Sequence, residues 1–206
     1  MPELLPLFLN LTGRAVVLVG GGRVATAKLE QLLAVGAHVT VVAPAIAAEI
    51  TGHSDRVALR QRAFVPADLD GAWLVVAAAT PDVNRAVADA AAERRLFVNA
   101  VDDPANATAY LSGVVRRDGV AIAISTSGDA PALTALLREG LDALLPRDLA
   151  AWIERARAER AVWRRDAIPM DQRKPRLLTA LNAIYGSKWE SAQGVPWLNA
   201  PEDSWL

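Results

Sequence analysis

Three consecutive glycines lie between an apolar run and a segment of helical periodicity, and this arrangement restricts the fold more than any other feature. Residues 15–19, AVVLV, form a β-branched run typical of a buried strand. After the glycines, apolar side chains recur at helical spacing, at Ala25, Leu29, Leu32 and Leu33. Gly36 ends that helix, and HVTVVAP predicts the next strand. A strand, a glycine loop, a helix and a second strand therefore follow one another within about thirty residues.

The glycine loop, GGGRVA at residues 20–25, fits the pattern G-x-G-x-x-[GA]. One glycine permits a tight turn, another lets the backbone approach a pyrophosphate, and the small Ala25 lets the helix pack against the strand. The N–H groups of the first helical turn then face the anion. The alternative is a turn that needs glycine only for its dihedral angles. Because the flanking strand and helix are present, we predict NAD binding, with Gly20 and Gly22 among the contacts.

The end of the second predicted strand lacks the acidic residue that usually holds the ribose hydroxyls of NAD. Residues 42–45 read Val-Ala-Pro-Ala, which contains neither an acid nor an arginine for a 2′-phosphate. The adenosine ribose is therefore expected to be held by backbone groups or without specificity.

Strands and helices continue to alternate as far as residue 103, which predicts an α/β fold with a parallel, doubly wound, Rossmann-like sheet. Ligands of such sheets lie at the carboxyl ends of the strands. Those ends fall at residues 20–22, 43–44, 79–80 and 101–103, so Thr80 joins the candidate cofactor contacts.

After Pro104 the pattern changes to strand, Arg-Asp-Gly turn, strand and then a helix with Asp129 as its expected N-cap. Two further helices follow, and five of the six tryptophans lie beyond Ala150. We predict an NAD-binding domain over residues 1–112, a strand-helix dimerisation segment over 113–146, and a helical region with a Trp-rich tail over 147–206.

Two polar stretches are candidates for chemistry. Asp102 and Asp103 follow a sheet strand, where they either form a turn before proline or place a carboxylate in the cofactor crevice as a general base. STSGD, at residues 125–129, either caps the following helix or binds an anion with its hydroxyls and helix-start N–H groups.

The composition excludes several classes of function. The net charge of −1 gives no general attraction to nucleic acid or to a membrane. The absence of cysteine removes disulfides, thiolate metal sites and thiol nucleophiles. Only two histidines occur: His38, expected to pack within a strand, and His53, so no resident metal is expected. Without a signal-peptide pattern or a long apolar run, the protein is expected to be cytoplasmic.

Taken together, the motifs resemble those of one family. LPLFLNLTGRAVVLVGGGRVATAKLEQLLAVGAHVTVVAP resembles the opening of bifunctional precorrin-2 dehydrogenase/sirohydrochlorin ferrochelatases, the oxidase-chelatase part of siroheme synthase. ATPDVNRAV, FVNAVDDP and VAIAISTSGDAPALTALLRE follow in the family's order and spacing. The resemblance extends over most of residues 5–146 and is weak beyond them.

This resemblance implies a reaction. Precorrin-2, which carries eight carboxylates, would lose two electrons and protons to NAD and give sirohydrochlorin, and some members then insert Fe(II). The family also lacks the acid after the second strand, forms a homodimer through the segment over 113–146, and in some members carries a methyltransferase domain that is not expected here. Co(II) is a further possible metal substrate.

The resemblance also assigns individual residues. The family's catalytic aspartate corresponds to Asp102, and a serine of its substrate cleft corresponds to Thr126, beside Ser127 and Gly128. Its cofactor contacts correspond to Arg23 and Val24 after the glycine loop and to Pro44 and Ala45 after the second strand.

Two other functions compete with this one. An NAD-binding sensor or regulatory module would need the glycine loop but no base at Asp102. A degenerate partner subunit that only builds an oligomer would need neither.

Overall fold

A five-stranded parallel sheet dominates the computed structural model, which describes residues 4–111 and 113–185. The strands are β1 (Ala15–Val19), β2 (His38–Val42), β3 (Val57–Arg60), β4 (Leu74–Ala77) and β5 (Phe97–Ala100). Three helices accompany them: α1 (Arg23–Ala34), α2 (Ala48–Thr51) and α3 (Pro81–Glu93). The strand order is β3-β2-β1-β4-β5, so the direction of winding reverses between β1 and β4. The predicted Rossmann-like fold is confirmed.

Alternating side chains of the strands form two separate core layers. On one face, Val16 and Leu18 of β1 join the buried residues of α1, which are Ala25, Leu29 and Leu32. On the other face, Val17 and Val19 join the buried apolar residues of α3, which are Val87, Ala90 and Ala91. β4 is buried along its whole length because helices cover both faces of the sheet.

The buried carboxylate of Asp68 holds the segment after β3 in place by several hydrogen bonds. Asp68 lies in a short 3-10 turn, Pro66–Leu69, and accepts hydrogen bonds from Arg60 (2.6 Å) and Arg62 (2.7 Å). It also accepts one from the backbone N–H of Val65, at 3.0 Å. Chiefly because of the bond from Arg62, the pKa of the Asp68 carboxyl lies well below its usual range.

The segment after the sheet contains a hairpin and a helix. β6 (Gly113–Arg117) and β7 (Val120–Ile124) are joined by Asp118 (φ +49°) and Gly119 (φ +86°), as a tight two-residue hairpin turn requires. α4 (Pro131–Leu144) follows. None of its residues, all of which the structure describes, is buried.

Two further helices, α5 (Leu149–Arg165) and α6 (Met170–Tyr185), complete the described chain. Leu149, Trp152 and Leu181 form their small core, against which Val120, Leu145 and Leu177 pack. Trp189, Trp197 and Trp205 of the predicted Trp-rich tail lie outside the described residues.

By contact density the chain separates into two units. The first comprises residues 1–113 and 124–135, and the second comprises 114–123 and 136–206. The three-part division at residues 112 and 146 stays a prediction.

Two local expectations are corrected. His38 is exposed, because it is the first residue of β2, where the strand emerges from the covered part of the sheet. α4 begins at Pro131, so Ala130 and not Asp129 immediately precedes it. Within residues 4–111 and 113–185, no helix combines the length and the hydropathy that crossing a bilayer requires.

Candidate functional site

The three glycines of the loop after β1 have different roles. Gly20 has φ +133°, and a β-carbon placed there would collide with the carbonyl oxygen of Ala78. A β-carbon at Gly21 would collide with the carbonyl oxygen of Ala45. At Gly22, by contrast, it would meet no described atom within 4 Å. The first two glycines therefore let the loop pass close to its neighbours, and only Gly22 borders open space.

The helix after this loop begins without a side-chain cap. α1 starts at Arg23, directly after Gly22, and its first turn contains no acidic residue. The N–H of Thr26 makes the first helical bond, to the Gly22 carbonyl at 3.0 Å. The N–H groups before it, at the exposed residues Arg23 and Val24, are therefore placed to bind an anion in the open space beside Gly22.

The loops after β2 and β4 meet the glycine loop at the carboxyl edge of the sheet. After β2, the Ala47 N–H donates to the Gly21 carbonyl at 2.8 Å, and Pro44 and Ala45 are exposed just before it. After β4, the Ala78 N–H donates to the Val19 carbonyl at 2.8 Å. The structure thus brings the predicted contacts Pro44, Ala45 and Thr80 to the same edge as the glycines.

A buried asparagine that the sequence reasoning missed holds the loop after β4. The Asn84 side-chain oxygen accepts a hydrogen bond from the Ala79 N–H at 3.0 Å, and the backbone N–H of Asn84 donates to the carbonyl of Thr80 at 2.9 Å. The sequence feature that could have indicated Asn84 is its position three residues before Val87, which places a polar side chain on the buried face of α3. Asn84 therefore fixes the exposed Thr80 beside the crevice.

Asp102 follows β5 in a backbone conformation that is rare for residues other than glycine. Its φ is +55°, which aspartate tolerates better than most side chains. The residue is exposed, and within the described chain its carboxylate accepts no hydrogen bond. Asp103 differs, because its carboxylate accepts a hydrogen bond from the Asn106 side chain at 2.8 Å. Asp103 therefore stabilises the turn, and Asp102 is available for chemistry.

The segment after this turn folds back onto β5 and supports Asp102. The Val98 N–H donates to the Thr108 hydroxyl at 2.9 Å, and the N–H groups of Thr108 and Ala109 both donate to the Val98 carbonyl. The buried Asn99 side chain donates to the Ala109 carbonyl at 2.9 Å. These bonds, made on both sides of residues 101–107, hold the Asp102 turn in place.

Lys28 is a second charged group of the site that the sequence reasoning missed. Partial burial lowers the pKa of its ammonium group, and the negative charge of Asp102 opposes that effect. The sequence feature that could have indicated Lys28 is its spacing, three residues after Ala25 and four before Leu32, which places it beside the buried face of α1. A cation therefore accompanies the exposed carboxylate.

The loop at residues 125–128 lies against the segment that follows Asp102. A β-carbon at Gly128 (φ +88°) would lie 3.5 Å from Pro104 Cγ and 3.8 Å from Tyr110 Cε1. Ser127 has φ +56°, and its N–H donates to the Ser125 hydroxyl at 3.1 Å.

The hydroxyl of Thr126, predicted to contact substrate, bonds at the start of α4. It lies 2.9 Å from the Thr134 hydroxyl and accepts a hydrogen bond from the Ala130 N–H at 3.3 Å. This bonding supports the helix start. Ser127 and Gly128 are therefore the better placed of the three to meet a ligand.

Comparison with known proteins now gives the family. Residues 7–113, more than half of the chain, match the model of a family described as "Putative NAD(P)-binding". The chain belongs to this NAD(P)-binding family. The predicted class of cofactor is thereby confirmed, and the uncapped α1 and the open space at Gly22 fit it. Residues 117–144 match a second model, described as "Sirohaem biosynthesis protein central".

Curated relatives of this NAD(P)-binding chain are siroheme synthases. Siroheme synthase 2 of Aeromonas hydrophila subsp. hydrophila is 43% identical over 153 residues, which is 74% of this chain and 33% of that protein. Siroheme synthase of Tolumonas auensis is 41% identical over 159 residues, 72% of this chain and 32% of that protein. The chain thus spans about a third of the length of these relatives, and the resemblance to their oxidase-chelatase part is confirmed.

A solved structure shares the fold. That of "SirC, precorrin-2 dehydrogenase" aligns with a TM-score of 0.67 over 92% of this chain and 94% of that one, at 24% identity.

Within residues 4–111 and 113–185, no three histidine, aspartate or glutamate side chains group as a metal site.

Proposed function

We propose that this chain oxidises precorrin-2 to sirohydrochlorin, with NAD as the acceptor, in siroheme or related tetrapyrrole synthesis. The observation that carries the proposal is the position of Asp102. It is an exposed carboxylate at the carboxyl end of β5, on the same sheet edge as the glycine loop. The siroheme synthase relatives and the match at residues 117–144 support this substrate class.

The cofactor side of the site consists mainly of backbone. The N–H groups at Gly22, Arg23 and Val24 would bind the pyrophosphate, since no side chain caps α1 and no atom fills the space beside Gly22. Pro44 and Ala45 would border the adenosine, and Thr80 the opposite side of the crevice. NAD, when bound, supplies the hydride acceptor.

Asp102 is the proposed general base. Oxidation removes a hydride and a proton from the macrocycle, and a carboxylate at the cofactor edge is a suitable acceptor for the proton. The Lys28 ammonium group lies near enough to interact with this carboxylate, so a cation accompanies the proposed base. Neither histidine nor cysteine is required for this step.

Ser127 and Gly128 are the proposed contacts of the substrate, with Thr126 behind them. Their loop lies against Pro104, two residues after Asp102, so a ligand bound by the loop would lie near the base. Hydroxyl and N–H groups suit the carboxylates that this substrate carries.

We also propose a homodimer through residues 113–146. Four leucines of α4 are exposed in the single chain: Leu133, Leu136, Leu137 and Leu144. They lie on one face of the helix, which is the pattern of a surface that a second copy covers. The proposal places the protein in the cytoplasm, without nucleic-acid or membrane partners.

The test is incubation of the purified protein with precorrin-2 and NAD, followed by absorbance. The expected result is one NADH formed for each precorrin-2 consumed, with no reaction when NAD is omitted. A protein that binds NAD but leaves precorrin-2 unchanged would instead be the sensor or regulatory module.

A second arm of the experiment asks about metal insertion. The base that accepts a proton during oxidation could also accept the two pyrrole N–H protons that are released when a metal enters the ring. Sirohydrochlorin is therefore incubated with Fe(II) or Co(II), with and without the protein. A rate equal to the uncatalysed rate makes this chain a dehydrogenase only.

A further inference from the structure

We propose that a groove beside the C-terminal half of α4 binds an organic anion with more than one carboxylate. The groove has a volume of about 500 Å³, within the range of small-molecule sites. Three arginines line it, namely Arg117, Arg138 and Arg147, together with Ala143 and Leu145. All five residues belong to the second contact unit, so the proposal does not rest on the oxidation of precorrin-2.

Arg117 is held rigidly in the wall of this groove. Its guanidinium donates to the carbonyls of Leu145 (2.8 Å) and Asp142 (3.0 Å) and to the Asp142 carboxylate (2.7 Å). These bonds neutralise Asp142 and the negative end of α4. They use three of the five N–H donors of the side chain, so its position is fixed and donors remain.

The other two arginines give the groove its capacity for an anion. Arg138 makes only a long ion pair with Glu139, at 3.3 Å, which is weak because both side chains are exposed. Arg147 makes no ion pair with any described residue. Since Asp142 is already neutralised by Arg117, two cations face a space that contains one weakly paired carboxylate, Glu139.

The shape of the groove favours an organic ligand over an inorganic ion. Ala143 and Leu145 add an apolar wall between the charged groups, and the volume exceeds what a single phosphate needs. Arg138 and Arg147 come from different segments, one from α4 and one from the turn after it, so they suit two carboxylates of one molecule.

The groove also stays open in the proposed homodimer. At about 100° per residue, Arg138 and Asp142 lie roughly 140° and 180° around α4 from Leu133. Arg138 and Asp142 therefore lie on the face of α4 opposite the exposed leucines, while Ala143 lies beside Leu136 at the edge of the groove. Covering the leucines leaves Arg138 accessible.

The test is isothermal titration of the full chain with benzene-1,3,5-tricarboxylate at constant ionic strength. Saturable binding at one site per chain is expected, with affinity reduced about tenfold by Arg147→Gln and by Arg138→Gln. Arg160→Gln, which removes an exposed arginine of α5 outside the groove, should bind as the wild type does. Circular dichroism checks that every variant is folded.

Two outcomes would overturn the proposal. Absence of saturable binding to the wild type would mean that these arginines only stabilise the hairpin and α4. Equal binding by the wild type and the Arg138→Gln/Arg147→Gln variant would place the ligand elsewhere. Inorganic phosphate is titrated in parallel, and if it binds as tightly as the tricarboxylate, the organic-anion assignment fails.

Discussion

The parallel sheet and helix α4 use apolar residues in opposite ways. In the sheet, all four residues of β4 are buried, and α1 and α3 each bury one apolar face against it. In α4, apolar side chains recur with the same helical spacing, but none of residues 131–144 is buried. Leu136 and Leu144 are 65% and 66% exposed.

The two regions differ in whether they need a second chain to bury their apolar residues. The sheet has both faces covered by its own helices, so it needs no partner to bury its core. α4 presents an apolar face that nothing in the described single chain covers, and such a face is typical of an interface between subunits. The sheet is therefore expected to bind its cofactor whether or not the chain dimerises.

The largest expected effect tests whether the sheet edge is catalytic. In Asp102→Asn, the kcat for precorrin-2 oxidation should fall by about 10²–10⁴-fold, because the variant removes the proposed base. Asparagine is chosen because it tolerates the φ of +55° that alanine would resist. Steady-state kinetics measure the loss, and titration with NAD should show an unchanged affinity.

Asp103→Asn is the matched control for that variant. Asp103 bonds to the Asn106 side chain within the turn, so its loss should alter stability more than the rate. If Asp102→Asn oxidised precorrin-2 at the wild-type rate, the base assignment would be wrong.

The next effect tests the apolar face of α4. Leu136→Asp should weaken the proposed dimer by about a hundredfold or more, because it buries a charge without a partner in the interface. Sedimentation should then show a monomer whose circular dichroism spectrum matches that of the wild type. Val162→Asp, on the partly exposed Val162 of α5, is the control and should remain dimeric. If the wild type were a monomer at micromolar concentration, the exposed leucines of α4 would not form a subunit interface, and the proposed dimer would be wrong.

A third prediction concerns the stability of the sheet region alone. Asp68→Asn should lower the free energy of unfolding by about 2 kcal/mol near neutral pH, since it breaks a buried pair whose arginines are partly exposed. Urea denaturation measures the change. Asp70→Asn is the control, because the Asp70–Arg94 pair is exposed on the aspartate side and should contribute less than about 1 kcal/mol.

The pH dependence of this effect follows from the lowered pKa of Asp68. A carboxyl whose pKa is lower in the folded than in the unfolded chain stabilises the fold above its unfolded pKa, near 4. That stabilisation is lost as the pH falls towards the folded pKa. The difference between wild type and Asp68→Asn should therefore be constant from about pH 5 to 8 and shrink below about pH 4. A difference that grew on acidification would show that Asp68 does not carry it.

The sequence predicted the local features of the sheet region but not the interactions between residues that are distant in the chain. Local patterns were sufficient for the strands, for α1 and for the glycine loop, because period and turn chemistry depend on neighbouring residues. The interactions of Lys28 with Asp102 and of Arg117 with Asp142 join residues far apart in the chain, and no local pattern indicates such a pairing. Asp129 was expected to cap α4, yet the Thr126 hydroxyl bonds there because the loop turns back at Ser127.

The smallest expected effect distinguishes ligand space from packing space within the glycine loop. In Gly22→Val, the branched side chain would occupy the open space where the pyrophosphate is proposed to lie. NAD affinity should fall tenfold or more, about 1.4 kcal/mol, while the melting temperature changes little because no described atom lies within 4 Å. Gly20→Ala should do the reverse, since its β-carbon would collide with the Ala78 carbonyl at a φ of +133° and destabilise the sheet. Calorimetry with NAD and thermal denaturation measure both variants. A folded Gly22→Val that bound NAD as the wild type does would show that Gly22 is needed only for the path of the chain.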